Sequence, residues 1–189
     1  MNRTPGQQPG WLARALAGRW VAASGAMLLA VFSVGASASA AEAFSGKVSH
    51  VADGDTVWVL PDAGGAPRKL RIDGIDAPEA CQPGGPAARQ ALAGMAMDRR
   101  VQVTVKRYDD YGRGLARIRL DGQDLGARLV REGHAWSYRY RRNPGPYVAE
   151  EKEARTQRRG LFSQAAPENP RQFRSRHGPC PVPERSHLR

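Results

Sequence analysis

Between Phe44 and Leu120 the chain is written in short runs of apolar and β-branched residues, each stopped by a turn signal, and no other feature narrows its fold as much. Gly46 to Val51, Thr56 to Leu60 and Arg68 to Ile75 read as three strands, with Asp-Gly and Gly-Gly pairs between them. Val101 to Val105 alternates apolar and polar residues with the period of a pleated strand. Leu115 to Leu120 repeats that alternation after the turn Tyr111-Gly112-Arg113-Gly114. Five antiparallel strands are therefore expected.

Helices interrupt this pattern at three places. Pro86 to Arg99 carries Ala87, Ala91, Leu92, Met95 and Ala96 at helical spacing, and proline suits a first helical turn. Leu125, Leu129 and Val130 mark one face of a short helix ending at Gly133, and Tyr147 to Arg159 forms a charged helix stopped by Gly160. The expected class is α+β, mainly β: a five-stranded Greek-key barrel of the OB type with three helices, over residues 44–163.

Residues 164–189 contain Pro167, Pro170, Pro179, Pro181 and Pro183 among Arg, Ser and Gln, without apolar periodicity. They read as a poorly ordered tail unless Cys180 ties it down. At the other end, Arg3, Arg14 and Arg19 precede an apolar run from Trp20 to Val34 and then Ala38-Ser39-Ala40. That order is the layout of a signal peptide over residues 1–40, with an uncleaved anchor as the alternative. A secreted or periplasmic protein without stable membrane association after cleavage is expected, with a monomer as the default. Export would take Cys81 and Cys180 to an oxidising compartment, where a disulfide between them can persist; two free thiols are the alternative.

The formal net charge is +11. The leader holds three of the 29 basic residues and no acid, so 26 remain against 18 acidic ones, a net +8. Such a surface suits a polyanion, and nucleic acid, acidic polysaccharide and anionic membrane all qualify.

The chemistry sits in the turns. Asp53-Gly54-Asp55-Thr56 opens the second strand and Asp73-Gly74-Ile75-Asp76-Ala77-Pro78-Glu79 closes the third, so neighbouring strands gather several carboxylates. Each Asp-Gly pair alone reads as a hairpin turn. Together with Arg71 on the same strand and Arg113 between two glycines, they read as a site for a hard divalent cation and a phosphate diester. Ca²⁺ suits the oxygen donors, and Mg²⁺ or Mn²⁺ could occupy the same place. His50, His134, His177 and His187 show no ligand spacing.

In this order and spacing, Asp-Gly-Asp-Thr, Arg-x-x-x-x-Asp-x-Pro-Glu and Tyr-Gly-Arg-Gly-Leu-Ala resemble the staphylococcal nuclease (thermonuclease) family from about Phe44 to Phe162. The resemblance implies a calcium-dependent nuclease hydrolysing DNA and/or RNA to 3′-phosphate products. It implies that Asp55 and Asp76 bind Ca²⁺ by carboxylate and Ala77 by backbone carbonyl, with Asp53 as a supporting acid nearby. It makes Glu79 the residue that activates or orients water, and Arg71 and Arg113 the phosphate-binding and transition-state groups. Ala77 stands where members of that family often have threonine, a change that leaves the main-chain carbonyl in place. Tyr138 and Tyr140 fall near, but out of register with, the family's nucleotide-flanking tyrosines; with Tyr111 they are the candidate substrate-binding residues, whereas Trp136 is expected in the core.

Two rivals remain. A catalytically inactive nucleic-acid-binding barrel would not need Asp55, Asp76, Glu79, Arg71 and Arg113 together. A binder of anionic lipid or polysaccharide, using Arg139 to Arg142, leaves the acidic cluster without a purpose.

Overall fold

A computed structural model describes residues 42–180. The expected leader and the end of the tail lie outside the described residues. The strands are β1 (Glu42–Val51), β2 (Thr56–Pro61), β3 (Arg68–Ile72), β4 (Ile75–Asp76), β5 (Arg100–Tyr108), β6 (Gly114–Leu120), β7 (Gln123–Asp124) and β8 (Trp136–Ser137). The helices are α1 (Gly85–Ala96), α2 (Leu125–Arg131), α3 (Val148–Thr156) and α4 (Pro170–His177), with a 3₁₀ turn at Gly160–Ser163.

The long strands run in the order β3-β2-β1-β5-β6, and a parallel pairing of β3 with β6 joins the two ends of that row. The result is the closed five-stranded barrel expected from the sequence. β1 belongs to both halves of it: Gly46 lies opposite Pro61 on β2 and opposite Val101 on β5. A Cβ at Gly46 would fall 2.3 Å from the Leu60 carbonyl oxygen, so only glycine lets the strand turn from one partner to the other there.

Period-two alternation does the filling. Val101, Val103 and Val105 of β5 and Ala116, Ile118 and Leu120 of β6 point inward, where they meet Val48, Val57, Val59, Leu70 and Ile72. α1 contributes Ala88, Leu92, Met95 and Ala96 to this core, and α2 adds Leu125, Leu129 and Val130. Burying one side chain such as Leu92, which is fully enclosed, stabilises the fold by about 2 kcal/mol. α2 starts at Asp124, whose carboxylate accepts the Ala127 amide at 3.2 Å and satisfies a donor the helix leaves open. Trp136 is buried, in a second cluster with Ala154, Leu161 and Phe162, and meets the Phe162 ring edge-on at 5.8 Å.

Two expectations change. The run Arg68 to Ile75 is not one strand, because β3 stops at Ile72 and the chain turns at Asp73-Gly74. Gly74 has φ +84, and a Cβ there would lie 2.5 Å from the Pro146 ring, a position no other residue could hold without strain. After the turn, β4 pairs with β8, Ile75 opposite Ser137 and Asp76 opposite Trp136. The second change is a fourth helix, α4, inside the segment expected to be poorly ordered unless Cys180 tied it down. Its N-cap Asn169 accepts the Gln172 amide at 3.0 Å, and Pro170 and Phe173 are its buried residues. Two buried residues give no periodicity to read. The helix is instead tied to the barrel by the Cys81–Cys180 disulfide, whose Cα atoms are 5.6 Å apart across 99 residues of sequence.

Candidate active site

The floor of the site is built by strand register. Thr56 of β2 lies opposite Arg71 of β3, which brings the residue before Thr56 beside the guanidinium. Asp55 is 3% exposed, and its conformation is fixed by its own turn: its amide donates to Asp53 Oδ1 at 3.0 Å and the Thr56 hydroxyl donates to Asp55 Oδ1 at 3.0 Å. Arg71 then bridges two carboxylates, with Nη1 2.7 Å from Asp55 Oδ2 and Nη2 3.0 Å from Asp76 Oδ1. The Ala77 amide faces Asp55 Oδ2 at 3.4 Å.

Burial is the larger influence on Asp55 and pushes its carboxyl up to about 7, against the pull of Arg71 and with help from Asp53 and Asp76. Burial also works against the charge on Arg71, but Asp55 and Asp76 outweigh it and raise its pKa. The floor therefore crowds Asp53, Asp55 and Asp76 around one guanidinium, and Asp55 answers by holding its proton more readily.

The rim is built by turns. In the β5–β6 turn, Asp109 Oδ1 accepts the amides of Tyr111 at 3.0 Å and Arg113 at 2.9 Å, and Oδ2 accepts Arg113 Nε at 2.8 Å. Burial opposes the Asp109 charge, yet the bonds from Arg113 and Tyr111 hold its carboxyl below the usual value. The Tyr111 ring, 84% exposed, lies 5.4 Å from the Arg113 guanidinium centre. Because β3 and β6 pair in parallel, with Leu70 opposite Gly114, the Arg113 turn stands at the same end of the barrel as Arg71.

A third wall comes from the loop after β4 and from the tail. Glu79 pairs with Arg174 of α4, Nη1 to Oε1 at 2.5 Å, and the same guanidinium reaches Asp76 Oδ2 at 3.5 Å. Opposite, the Tyr138 amide donates to the Gly74 carbonyl at 2.8 Å. The Tyr138 segment is braced from below by Glu151, 1% exposed, which accepts the Ser137 amide at 3.0 Å and pairs with Arg139 and Arg155 at 2.8 Å each.

These walls enclose an open cleft of about 600 Å³. Of the residues singled out in the sequence, Asp53, Asp55, Arg71, Asp76, Ala77, Glu79, Tyr111, Arg113 and Tyr138 line it. Tyr140, 60% exposed, is not among the lining residues; it sits in a small turn with Asn143, its ring 5.3 Å from the Arg141 guanidinium. Lys69, Arg107, Asp109 and Arg174 also line the cleft and had not been singled out. Asp109 was visible in principle, four residues before Arg113 at the start of the same turn; Arg174 had no signal in its proline- and arginine-rich surroundings.

Among the described residues no group of three or more His, Cys, Asp or Glu side chains is gathered as a metal-holding set. Two carboxylates meet at Arg71, and beside them runs the backbone of Ala77. Hard oxygen donors of this kind suit Ca²⁺, which takes backbone carbonyls and water for its remaining positions.

Residues 69–164 match the family described as staphylococcal nuclease homologue. A protein named micrococcal nuclease from Shigella flexneri is 39% identical over 142 residues, which cover 69% of this chain and 80% of that protein. The chain belongs to the staphylococcal nuclease family. An uncharacterized endonuclease from Haemophilus influenzae is 31% identical over 147 residues, 78% of this chain and 82% of its own length. A probable staphylococcal-like nuclease from rice matches more narrowly, 33% identical over 106 residues, 56% of this chain and 32% of that protein. The matched region of this staphylococcal nuclease family member includes Arg71, Asp76, Glu79 and Arg113, whereas Asp55 and Arg174 fall outside it.

Proposed function

We propose that this chain is a Ca²⁺-dependent endonuclease that hydrolyses phosphodiester bonds of DNA and/or RNA to 3′-phosphate ends, working as a secreted or periplasmic monomer. Membership of the nuclease family supports a hydrolase acting on nucleic acid. The observation that carries the reading is the meeting of Arg71 with Asp55 and Asp76 in one cleft with Glu79 and Arg113. The apolar run and small residues before Ala41 support export. No described helix is long and apolar enough to cross a membrane.

Asp55, Asp76 and the Ala77 carbonyl would hold the cation, with Asp53 fixing the Asp55 turn. When bound, a divalent cation supplies Lewis-acid stabilisation of a phosphoryl oxygen. Arg71 and Arg113 flank the phosphate from two sides of the cleft, and a guanidinium fork matches the charge that grows on its oxygens during attack. Glu79 orients the attacking water and accepts its proton. The new bond is water oxygen to phosphorus, and the bond that breaks is phosphorus to the 5′ oxygen, which leaves as a hydroxyl after taking a proton. Tyr111 and Tyr138 at the cleft mouth offer faces on which bases stack, a sequence-tolerant contact.

The test is cleavage of single-stranded DNA by the mature chain with Ca²⁺ and with chelator, beside an Asp55→Ala control. Ca²⁺-dependent cutting that the control lacks is the expected result. Binding without cutting in any divalent metal would reassign the barrel as a nucleic-acid-binding module.

A further inference from the structure

Three separate ties join the C-terminal segment to one short stretch of the site, Glu79 to Gln82. Arg174 reaches Glu79 at 2.5 Å and Asp76 at 3.5 Å. Gln82, 3% exposed, accepts the Glu79 amide with Oε1 at 3.1 Å and donates from Nε2 to the Glu168 carbonyl at 2.7 Å. The Cys81–Cys180 bond closes the far end of α4 onto the same stretch, and the Cys81 amide faces Cys180 Sγ at 3.0 Å. Arg176 pairs with Glu168 at 2.9 Å, which fastens the helix to its own approach segment.

We propose that Arg174 is a positioning residue of the cleavage site, acting through Glu79, and that the Cys81–Cys180 bond keeps it in place. The inference rests on the hydrolytic reading given above. The tail has little else to hold it: Pro170 and Phe173 are the buried residues of α4, and burial of that size does not offset the ordering of a whole segment. Its anchors are polar and covalent, and they meet at Glu79.

The side chain of Glu79 is 28% exposed and stands on a loop, so nothing in its own backbone selects one rotamer. A planar guanidinium supplies that selection, because its fork fixes the direction of a carboxylate as well as its charge. One oxygen of Glu79 bonded to Arg174 leaves the other to face water. The second arm of Arg174, on Asp76, has a different consequence. It places a fixed cation beside a carboxylate proposed to hold Ca²⁺, so Arg174 improves the placement of Glu79 at a cost in cation affinity.

The experiment uses the mature chain as wild type, Arg174→Ala, Arg174→Lys, Cys81→Ser/Cys180→Ser and the triple variant, each checked for its thermal melt. On single-stranded DNA with saturating Ca²⁺, Arg174→Ala should lower kcat by about tenfold or more while KM stays within about twofold. Lysine keeps the charge without the fork and should restore only part of the loss. The serine pair should show the same fall in kcat, and the triple variant should fall no further, because both changes release one contact. Calorimetric titration of Ca²⁺ without nucleic acid should show tighter binding in Arg174→Ala by roughly threefold.

An unchanged kcat in Arg174→Ala overturns the proposal, and a raised kcat does so too by making the tail a plug. Additive losses in the triple variant remove the link between the disulfide and Arg174. If the wild type itself cuts nothing in any metal, the nuclease reading fails instead. The Ca²⁺ titration then still decides the placement of Arg174, and equal affinity in wild type and Arg174→Ala rejects it. Should the serine pair fail to fold, the alanine and lysine variants carry the test alone.

Discussion

Arg71 and Arg113 line the same cleft and are equally exposed, 20% and 21%, yet they are held in opposite ways. Arg71 sits on a strand of a closed barrel, and its partner Asp55 is almost fully enclosed at 4%. Arg113 sits in a turn, and its partner Asp109 belongs to that turn and keeps 17% of its side chain in contact with solvent. The strand-borne arginine is part of what makes the barrel stable, because removing it strands a buried carboxylate. The turn-borne arginine belongs to a self-contained bracket whose loss the barrel does not feel. The proposed function draws on both regions, whereas the buried pairing is concentrated in one.

Substitutions can break this division. Arg113→Ala should lower the rate of phosphodiester cleavage by about 10³-fold, roughly 4 kcal/mol of transition-state stabilisation, while the thermal melt is unchanged. A parallel fall in melting temperature would mean the turn is not self-contained. Glu79→Gln, also on a loop, should cost about 10²-fold in rate with the fold again intact, as steady-state kinetics beside circular dichroism would report.

Arg71→Ala should abolish cutting and also lower the unfolding free energy of the cation-free protein by about 2 kcal/mol, read from urea denaturation. The figure sits below the range for fully buried pairs because one-fifth of the Arg71 side chain meets solvent. If Arg71→Ala and Arg113→Ala lost the same stability, the contrast between strand and turn would collapse. Smallest of all, Tyr138→Ala should weaken single-stranded DNA binding by about 1 kcal/mol in a fluorescence titration, with kcat unaffected.

The same contrast governs what could be read in advance. The barrel was legible because alternation in Val101 to Val105 and Leu115 to Leu120 reports a half-buried strand directly, and motif order singles out Asp55, Arg71, Asp76, Glu79 and Arg113, which line one cleft. The break at Asp73-Gly74 was not legible as a strand end. β4 exists because it pairs with β8, sixty residues on, and Gly74 is required by Pro146, a neighbour in space only. The α4 helix was invisible for a related reason. A segment docked by one phenylalanine, one glutamine bridge and a disulfide carries no hydrophobic period, so its arginine could not be distinguished from the others around it. Tyr140 shows the limit of composition: an aromatic amid arginines suggests a base platform, but its turn folds it onto Arg141, outside the cleft lining.

The parallel seam of the barrel has a consequence for how the molecule comes into being. Four of the five neighbour contacts around the ring are antiparallel ladders, and three of them, β1 with β2, β2 with β3 and β5 with β6, join strands that follow one another closely in sequence. The remaining seam aligns Leu70 to Ile72 with Gly114 to Ala116 and must wait for a loop of more than forty residues to close, an entropic delay that local hairpins do not face. Arg71 lies within that seam and Arg113 immediately before it. A partly folded chain with these hairpins made but the ring open thus carries the two arginines proposed to bind phosphate on separate pieces, β1 to β3 and β5 with β6, and the cleft they line is a property of the ring rather than of any segment of it.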